Sequence, residues 1–376
     1  MINVLADQYL HNFQSHIPKN INLDCYDPSN GLPTQLDDIH ALLVRTTNDL
    51  TSQTLPSIPS SLAFVGTASA GCDHVDIDYL QQNKIAFTNA AGCNARSVAE
   101  YVATALLLWS EHNNAALRQL SVGIIGVGQV GTQVQRILDQ LEVPYVSYDP
   151  PRAVRDPDFT SASLDSVLQT NILTFHTPLT RTGNHPTYHW LDADKLSGRS
   201  FELVINTSRG GVIDEEPLRK AVTNDKVGNI IIDTWENEPE LSLATAEKSF
   251  IATPHIAGYS EQAKDNATKI VVEAMLDHFG ISKEQENTKH EGRSITSDID
   301  ESTSLTDLLT KLHPIRDYES KLKQIIARHP NERGTRFNKL RAEYPLRQEF
   351  AHNFLPPTYF ERFSVLKSLG FATLNG

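Results

Sequence analysis

Residues 121–138, SVGIIGVGQVGTQVQRIL, leave a chain few ways to fold. The run Val122–Ile125 is short, apolar and closed by a turn, the pattern of a buried strand. Gly126, Gly128 and Gly131 follow at the spacing G-x-G-x-x-G, and Val130, Val134, Ile137, Leu138 and Leu141 then share one helical face. A strand that enters a helix through such a turn predicts a dinucleotide site. Gly126 makes the tight turn, Gly128 admits a pyrophosphate to the backbone, and Gly131 lets helix and strand pack closely. The helix start, at Gln129 and Val130, offers N–H groups and a positive dipole end to phosphate. A second apolar run, Val143–Tyr148, ends at Asp149, 23 residues after Gly126. A carboxylate there accepts from ribose hydroxyls and favours NAD over a 2′-phosphorylated cofactor, a preference that the nearby Arg152 opposes.

A chain of 376 residues predicts two or three domains. Strand patterns at Ile2–Ala6, Ala41–Arg45, Leu62–Val65 and Ile85–Phe87 alternate with helical stretches, which implies a parallel sheet with helices on its faces. Further strands are predicted at Ile172–Phe175, Leu203–Asn206, Ile230–Asp233 and Phe250–Ala252. Two long helical patterns, 94–112 and 260–280, flank the dinucleotide unit, so that unit is read as inserted into the first, with a cleft between them. Residues 282–304 are polar and read as a linker. Helical periodicity resumes at Leu305 and ends in an aromatic-rich stretch, a third small unit.

The net charge of −13 argues against nucleic acid as a partner. No stretch is long and apolar enough to span a bilayer, and the first residues lack the features of a signal peptide. Three scattered cysteines, Cys25, Cys72 and Cys93, make no metal or disulfide pattern and fit a reducing cytoplasm. The charge is uneven. Residues 306–376 hold 12 Lys+Arg against 7 Asp+Glu, on a body that is strongly acidic. Arg347, in YPLRQEF, is accordingly a candidate to reach a partner subunit and hold a phosphate.

Three ionisable residues fall in strand-end turns of the inserted unit: Arg209 in INTSRGGVID, Glu238 in DTWENEPE and His255 in TPHIAGYS. A guanidinium suits a substrate carboxylate. An imidazole moves a proton near neutral pH, and a neighbouring carboxylate fixes its tautomer. Together these are the tools for hydride transfer between a 2-hydroxy acid and a nicotinamide. Singly, each also reads as an ordinary surface or salt-bridge residue.

Four blocks in order, GIIGVGQVG, LDSVLQTNILTFHTPLT, INTSRGGVIDEEPL and the pair WENEP and TPHIAG, resemble the signatures of the D-isomer-specific 2-hydroxyacid dehydrogenase family. The resemblance implies an α/β fold of two doubly wound parallel-sheet domains: a flavodoxin-like substrate domain at 1–93 with 257–281, and a Rossmann NAD domain at 94–256. A linker at 282–304 and a small C-terminal α+β dimerisation domain at 305–376 complete it. The family implies NAD as cofactor, no metal, and Arg209, Glu238 and His255 as the catalytic trio. Asp149, Thr177, Thr207, Ser208, Asp233 and Gly258 join the glycine turn as implied cofactor contacts.

GTASAGCDHVDIDYL, NAAGCNARSVAEYV, YDPPR, HIAGYS, YPLRQEF and LKSLGF narrow the resemblance to the branch that oxidises 4-phospho-D-erythronate in pyridoxal phosphate biosynthesis. That branch implies a small phosphorylated substrate and a homodimer formed through the C-terminal domain. Thr46, Thr67 and Tyr259 fall at its substrate positions, and Arg45 is a candidate phosphate or carboxylate ligand. Cys72 departs from a turn that often holds Thr, and the acidic 282–304 arm is poorly matched. Two rival readings remain. The 3-phosphoglycerate branch often appends a βαββαβ regulatory unit, which the helical, aromatic tail disfavours. A non-enzymatic NAD-sensing scaffold would need a peptide-binding cleft that no stretch here indicates.

Overall fold

Short apolar runs become strands of two all-parallel sheets. The structure, a computed structural model, describes residues 2–33, 35–282, 293–294, 303–328 and 330–374. The chain divides into two units, Met1–Asn94 with Ser260–Glu291, and Ala95–Tyr259 with Gly292–Gly376. The second unit is thus inserted into the first.

The first unit holds β1 (Asn3–Asp7), β2 (Asn22–Tyr26), β3 (Ala41–Val44), β4 (Phe64–Thr67) and β5 (Ala86–Asn89). Their order is β2-β1-β3-β4-β5, the flavodoxin-like order. The central strand β3 is buried throughout, as a parallel strand covered on both faces must be. Val271, Val272, Met275 and Leu276 of helix Glu261–His278 are buried in this unit. Strand β2 has no continuous apolar run, which is why the sequence patterns pass over it. It lies at the sheet edge, largely exposed, paired to β1 from Asn3↔Asn22 to Asp7↔Tyr26.

The second unit holds β6 (Val122–Ile125), β7 (Tyr145–Tyr148), β8 (Ile172–Phe175), β9 (Phe201–Asn206), β10 (Val227–Ile232) and β11 (Ile251–Ala252), in the order β11-β10-β9-β8-β6-β7. Strand order reverses at β6, between β7 and β8, and a ligand crevice opens at the carboxyl ends of strands at such a point. Beyond β7, where a further strand of a Rossmann sheet would run, Ala162 N–H donates to Ser147 O at 2.8 Å from an irregular segment. Helix Ala95–Asn113 buries Val98, Val102 and Leu106 in one core with Ile124, Val134 and Leu138.

The small C-terminal domain expected at 305–376 shares the cores of this second unit. Leu308, Leu309, Ile315, Phe350 and Leu366 join the core of helix Ala95–Asn113. Tyr318, Leu322, Ile326, Phe337 and Leu340 join a second core with Trp235, Leu241 and Ile256. Its short parallel sheet is β12 (Arg293–Ser294), β13 (Asn353–Leu355) and β14 (Ala372–Thr373). Most of the expected 282–304 linker lies outside the described residues. Its last residue, Ser304, caps helix Leu305–Leu312 through a capping box with Asp307.

The expectation for Arg347 is corrected. Its side chain is buried and its Nη1 donates to Glu100 Oε2 at 2.7 Å, while Nη2 donates to the carbonyl and hydroxyl of Ser97, both at 3.1 Å. Glu100 Oε1 also accepts from Phe350 N–H at 3.0 Å. Arg347 therefore fastens the C-terminal segment to helix Ala95–Asn113 and offers no cation to a ligand. Among the described residues no helix is long and apolar enough to cross a membrane.

Candidate active site

The glycine turn sits at the carboxyl end of β6. Gly126 takes φ +86°, and a Cβ on Gly131 would run into Gly126 O, so the helix start packs against the turn as only glycine permits. A Cβ on Gly128 would meet nothing within 4 Å, so open space lies before the turn. Helix Gln129–Gln140 begins there, and its first N–H groups lack helical carbonyl partners. Asp149 follows β7 and closes the turn: Oδ2 accepts from Val127 N–H at 2.8 Å and Oδ1 from Arg152 N–H at 2.9 Å. Arg152 Nη1 donates to Val127 O at 2.7 Å, so it belongs to the same turn. At the end of β8 the Thr177 hydroxyl is buried with no hydrogen-bond partner among the described residues, and so is that of Thr234 after β10. An open phosphate cradle, a carboxylate bound to the glycine turn and an unsatisfied hydroxyl on the neighbouring strand fit a dinucleotide.

Arg209, Glu238 and His255 follow β9, β10 and β11, three adjacent strands, so all leave the same sheet edge. The turns that carry them are interlocked. Asn206 Nδ2 donates to Arg209 O at 3.0 Å and to Thr234 O at 3.4 Å, and a Cβ on Gly210 would collide with Trp235 O. Trp235 N–H donates to Glu238 Oε1 at 2.7 Å, and its indole N–H to Thr253 O at 2.8 Å. Glu238 Oε2 lies 2.8 Å from His255 Nδ1. With Nδ1 carrying the proton toward this carboxylate, Nε2 keeps a lone pair for a substrate hydroxyl. Burial pushes the Glu238 carboxyl up, but the His255 charge and hydrogen bond, Trp235 N–H and Arg341 outweigh it and hold it below the usual range.

Asp233, expected among the cofactor contacts, is 1% exposed and holds the His255 turn. Oδ1 accepts from Thr253 Oγ1 at 2.6 Å and Ile256 N–H at 2.8 Å, and Oδ2 from Ala257 N–H at 3.0 Å. Burial raises its pKa, against these bonds and the His255 charge. Thr253 in turn accepts from the buried Tyr101 hydroxyl at 2.6 Å. Ser208 is likewise turned inward, to Asn206 Oδ1. Thr207 Oγ1 lies 3.4 Å from His176 Nδ1, and Gly258 is half-buried just past Ala257.

In the first unit, Arg45, Thr46 and Thr67 stand at the carboxyl ends of β3 and β4. Arg45 Nε donates to the buried Asp7 at 2.8 Å, and its guanidinium lies over the Tyr9 ring at 5.3 Å. Thr46 is exposed. Thr67 offers no surface: it is 0% exposed, its hydroxyl 3.0 Å from both Ser69 Oγ and His74 Nε2. Burial lowers the His74 pKa, against Asp49 and Asp73.

A family profile described as "D-isomer specific 2-hydroxyacid dehydrogenase, NAD binding domain" matches residues 96–257. The erythronate-4-phosphate dehydrogenase of Proteus mirabilis is 38% identical over 92% of both chains. That of Bacteroides thetaiotaomicron is 36% identical over 86% of this chain and 90% of its own. The chain belongs to the erythronate-4-phosphate dehydrogenase family. Its cofactor is NAD. Solved structures share the fold. A D-lactate dehydrogenase of Aquifex aeolicus superposes at TM-score 0.58 with 22% identity, over 74% of this chain and 95% of its own. A glyoxylate/hydroxypyruvate reductase of Sinorhizobium meliloti gives 0.61 with 21% identity, over 75% and 96%.

In this member of the erythronate-4-phosphate dehydrogenase family, the structure adds residues that the sequence reading omits. His176, at the end of β8, lies 3.0 Å from Thr174 Oγ1, and burial lowers its pKa to about 3, so it stands neutral among the turns. Its signal was a histidine in the strand-end turn FHTP. Arg341, in helix Arg333–Ala342, donates from Nε to the Tyr259 hydroxyl at 2.9 Å. No motif marks it among the four basic residues of that helix. His189, Asp214 and Glu236 bring ligand atoms within 4.8 Å of one another. His189 Nε2 is hydrogen-bonded to Glu236 Oε1 at 2.7 Å, and Nδ1 lies 3.5 Å from Asp214 Oδ2.

Proposed function

We propose that this chain oxidises 4-phospho-D-erythronate to (R)-3-hydroxy-2-oxo-4-phosphooxybutanoate, an NAD-dependent step of pyridoxal phosphate biosynthesis. The observation that carries the reading is the His255–Glu238 pair, held by turns locked to the Arg209 turn on adjacent strand ends. NAD, when bound, supplies the hydride acceptor. The glycine turn, Gln129, Val130 and Asp149 hold its phosphates and ribose, with Thr177 and Thr207 on the neighbouring strand ends. Arg209 binds the substrate carboxylate through its planar fork. His255 Nε2 takes the proton of the 2-hydroxyl as the carbon-bound hydrogen leaves as hydride, and Glu238 stabilises the imidazolium that results. Arg45 and Thr46 of the first unit are further substrate contacts in this reading.

The protein acts in the cytoplasm as a homodimer. The resemblance of the C-terminal segment to that of the family supports the dimer, and scattered cysteines support a reducing compartment. Two assays test the function. Purified protein with NAD is expected to turn over 4-phospho-D-erythronate in preference to 3-phospho-D-glycerate. The reverse preference would reassign the substrate. His255→Gln is expected to lower kcat about 10²- to 10⁴-fold while NADH still binds. Near-normal turnover in that variant rejects the histidine as base.

A further inference from the structure

The histidine of the acid–base pair stands on a strained backbone. His255 takes φ +56°, the left-handed region that glycine enters freely and other residues enter at a cost. Such a conformation persists where the surroundings over-determine it. Asp233 supplies part of that hold, through the amides of Ile256 and Ala257. The rest comes from a different element. In helix Ala95–Asn113, Ser97 and Tyr101 are four residues apart and share one face. Ser97 Oγ donates to Ala257 O at 3.1 Å, and the Tyr101 hydroxyl lies 2.6 Å from Thr253 Oγ1. Both side chains are 0% exposed, so water does not compete for either bond.

The direction of each bond follows from the partners. Thr253 gives its one hydroxyl proton to Asp233 Oδ1, at 2.6 Å, so Tyr101 is the donor to Thr253. Ser97 gives its own proton to Ala257 O, and its oxygen accepts from Arg347 Nη2 at 3.1 Å. Two chains of hydrogen bonds result. One runs from Tyr101 through Thr253 to Asp233, the other from Arg347 through Ser97 to Ala257. They meet the turn at its two ends, with His255 between them. The helix face is itself fixed. Glu100, beside Tyr101, is paired with Arg347 at 2.7 Å, and the Tyr101 ring packs edge-on against His313, 5.6 Å between centroids.

We propose that Tyr101 and Ser97 are positioning residues, which hold His255 in its productive conformation by clamping both ends of its turn. The catalytic consequence rests on the reading of His255 as the base, given above. In this arrangement the C-terminal segment bears on the acid–base pair through the helix, with Arg347 behind Ser97 and His313 against Tyr101.

The test uses Tyr101→Phe and Ser97→Ala in the full-length protein, each of which removes one hydroxyl and adds no bulk. In each, kcat for 4-phospho-D-erythronate is expected to fall about 10-fold. KM and the affinity for NADH should stay within about twofold of wild type. Unchanged kcat in either variant overturns the proposal, as does a loss that falls on KM alone. Hydrogen exchange reads the turn without turnover. The amides of Ile256 and Ala257 are expected to exchange about 10-fold faster in each variant, with β6 as in wild type. Equal acceleration in both places is general loosening and overturns the clamp. In the His255→Gln background, Tyr101→Phe is expected to lower the residual kcat by less than about twofold, because the group it positions is gone. A further fall of about 10-fold there also overturns the role. If His255→Gln alone turns over normally, the base assignment falls, and faster exchange confined to the turn still supports the clamp.

Discussion

His176 and Glu238 show how single side chains at this sheet edge take their charge state from their surroundings. Glu238 is half-buried yet remains a carboxylate, because His255, the Trp235 amide and Arg341 together outweigh its desolvation. His176 has no such partner, and burial lowers its pKa to about 3. Its folded value lies below its unfolded value of about 6.5, so the folded state binds fewer protons than the unfolded chain. The stability this confers is complete above about pH 6.5 and is lost as pH falls toward about 3, at up to ~1.4 kcal/mol per pH unit. Urea midpoints from pH 7 down to about pH 4 are therefore expected to fall less steeply in His176→Gln than in wild type. Parallel curves would show that His176 is not the group that titrates. The residue itself was in plain view in the sequence. That it is neutral was not, because neutrality comes from the strands packed around it.

At the scale of elements, the site depends on three turns held in step. Each strand was readable from its apolar run, and each turn from its polar break. The lock between turns was not, because it consists of backbone contacts across β9, β10 and β11. Gly210 is the tightest of these contacts: any Cβ there meets the Trp235 carbonyl. Gly210→Ala must push the Arg209 turn away from the turn that carries Glu238. The expected result is a fall in kcat of about 10²-fold, because displacements near 1 Å at a reacting centre have that effect. The affinity for NADH should change little, since the glycine turn after β6 is built separately. A variant with normal kcat would show that the turns tolerate independent movement. Strand β2 is the complementary case. Its side chains lack a strand pattern because it lies at an edge with little to bury, and pairing with β1 alone defines it.

For the whole chain, the notable outcome is the place of the C-terminal segment. Helical periodicity and aromatic clusters predict a small C-terminal unit, and its apolar faces close over the second unit and join both of its cores. The Arg347–Glu100 pair fastens that closure. Removing one partner of a buried ion pair strands the other, so Arg347→Met is expected to lower stability by about 3–5 kcal/mol. In the fraction that folds, KM for the phosphorylated substrate should be normal. A raised KM with unchanged melting temperature would return Arg347 to the substrate. Apart from the edge strand β2, the order of strands and turns, the glycine cradle and the positions of Arg209, Glu238 and His255 along the chain were determined within the sequence. They depend on local periodicity, on backbone conformations open to glycine, and on which residue follows which strand. That the C-terminal cation Arg347 is sealed inside, on Glu100, was decided by the tertiary structure alone. Arg347 and Glu100 are 247 residues apart. The fate of a charged side chain depends on the partner that packing brings to it, and no local pattern records that partner.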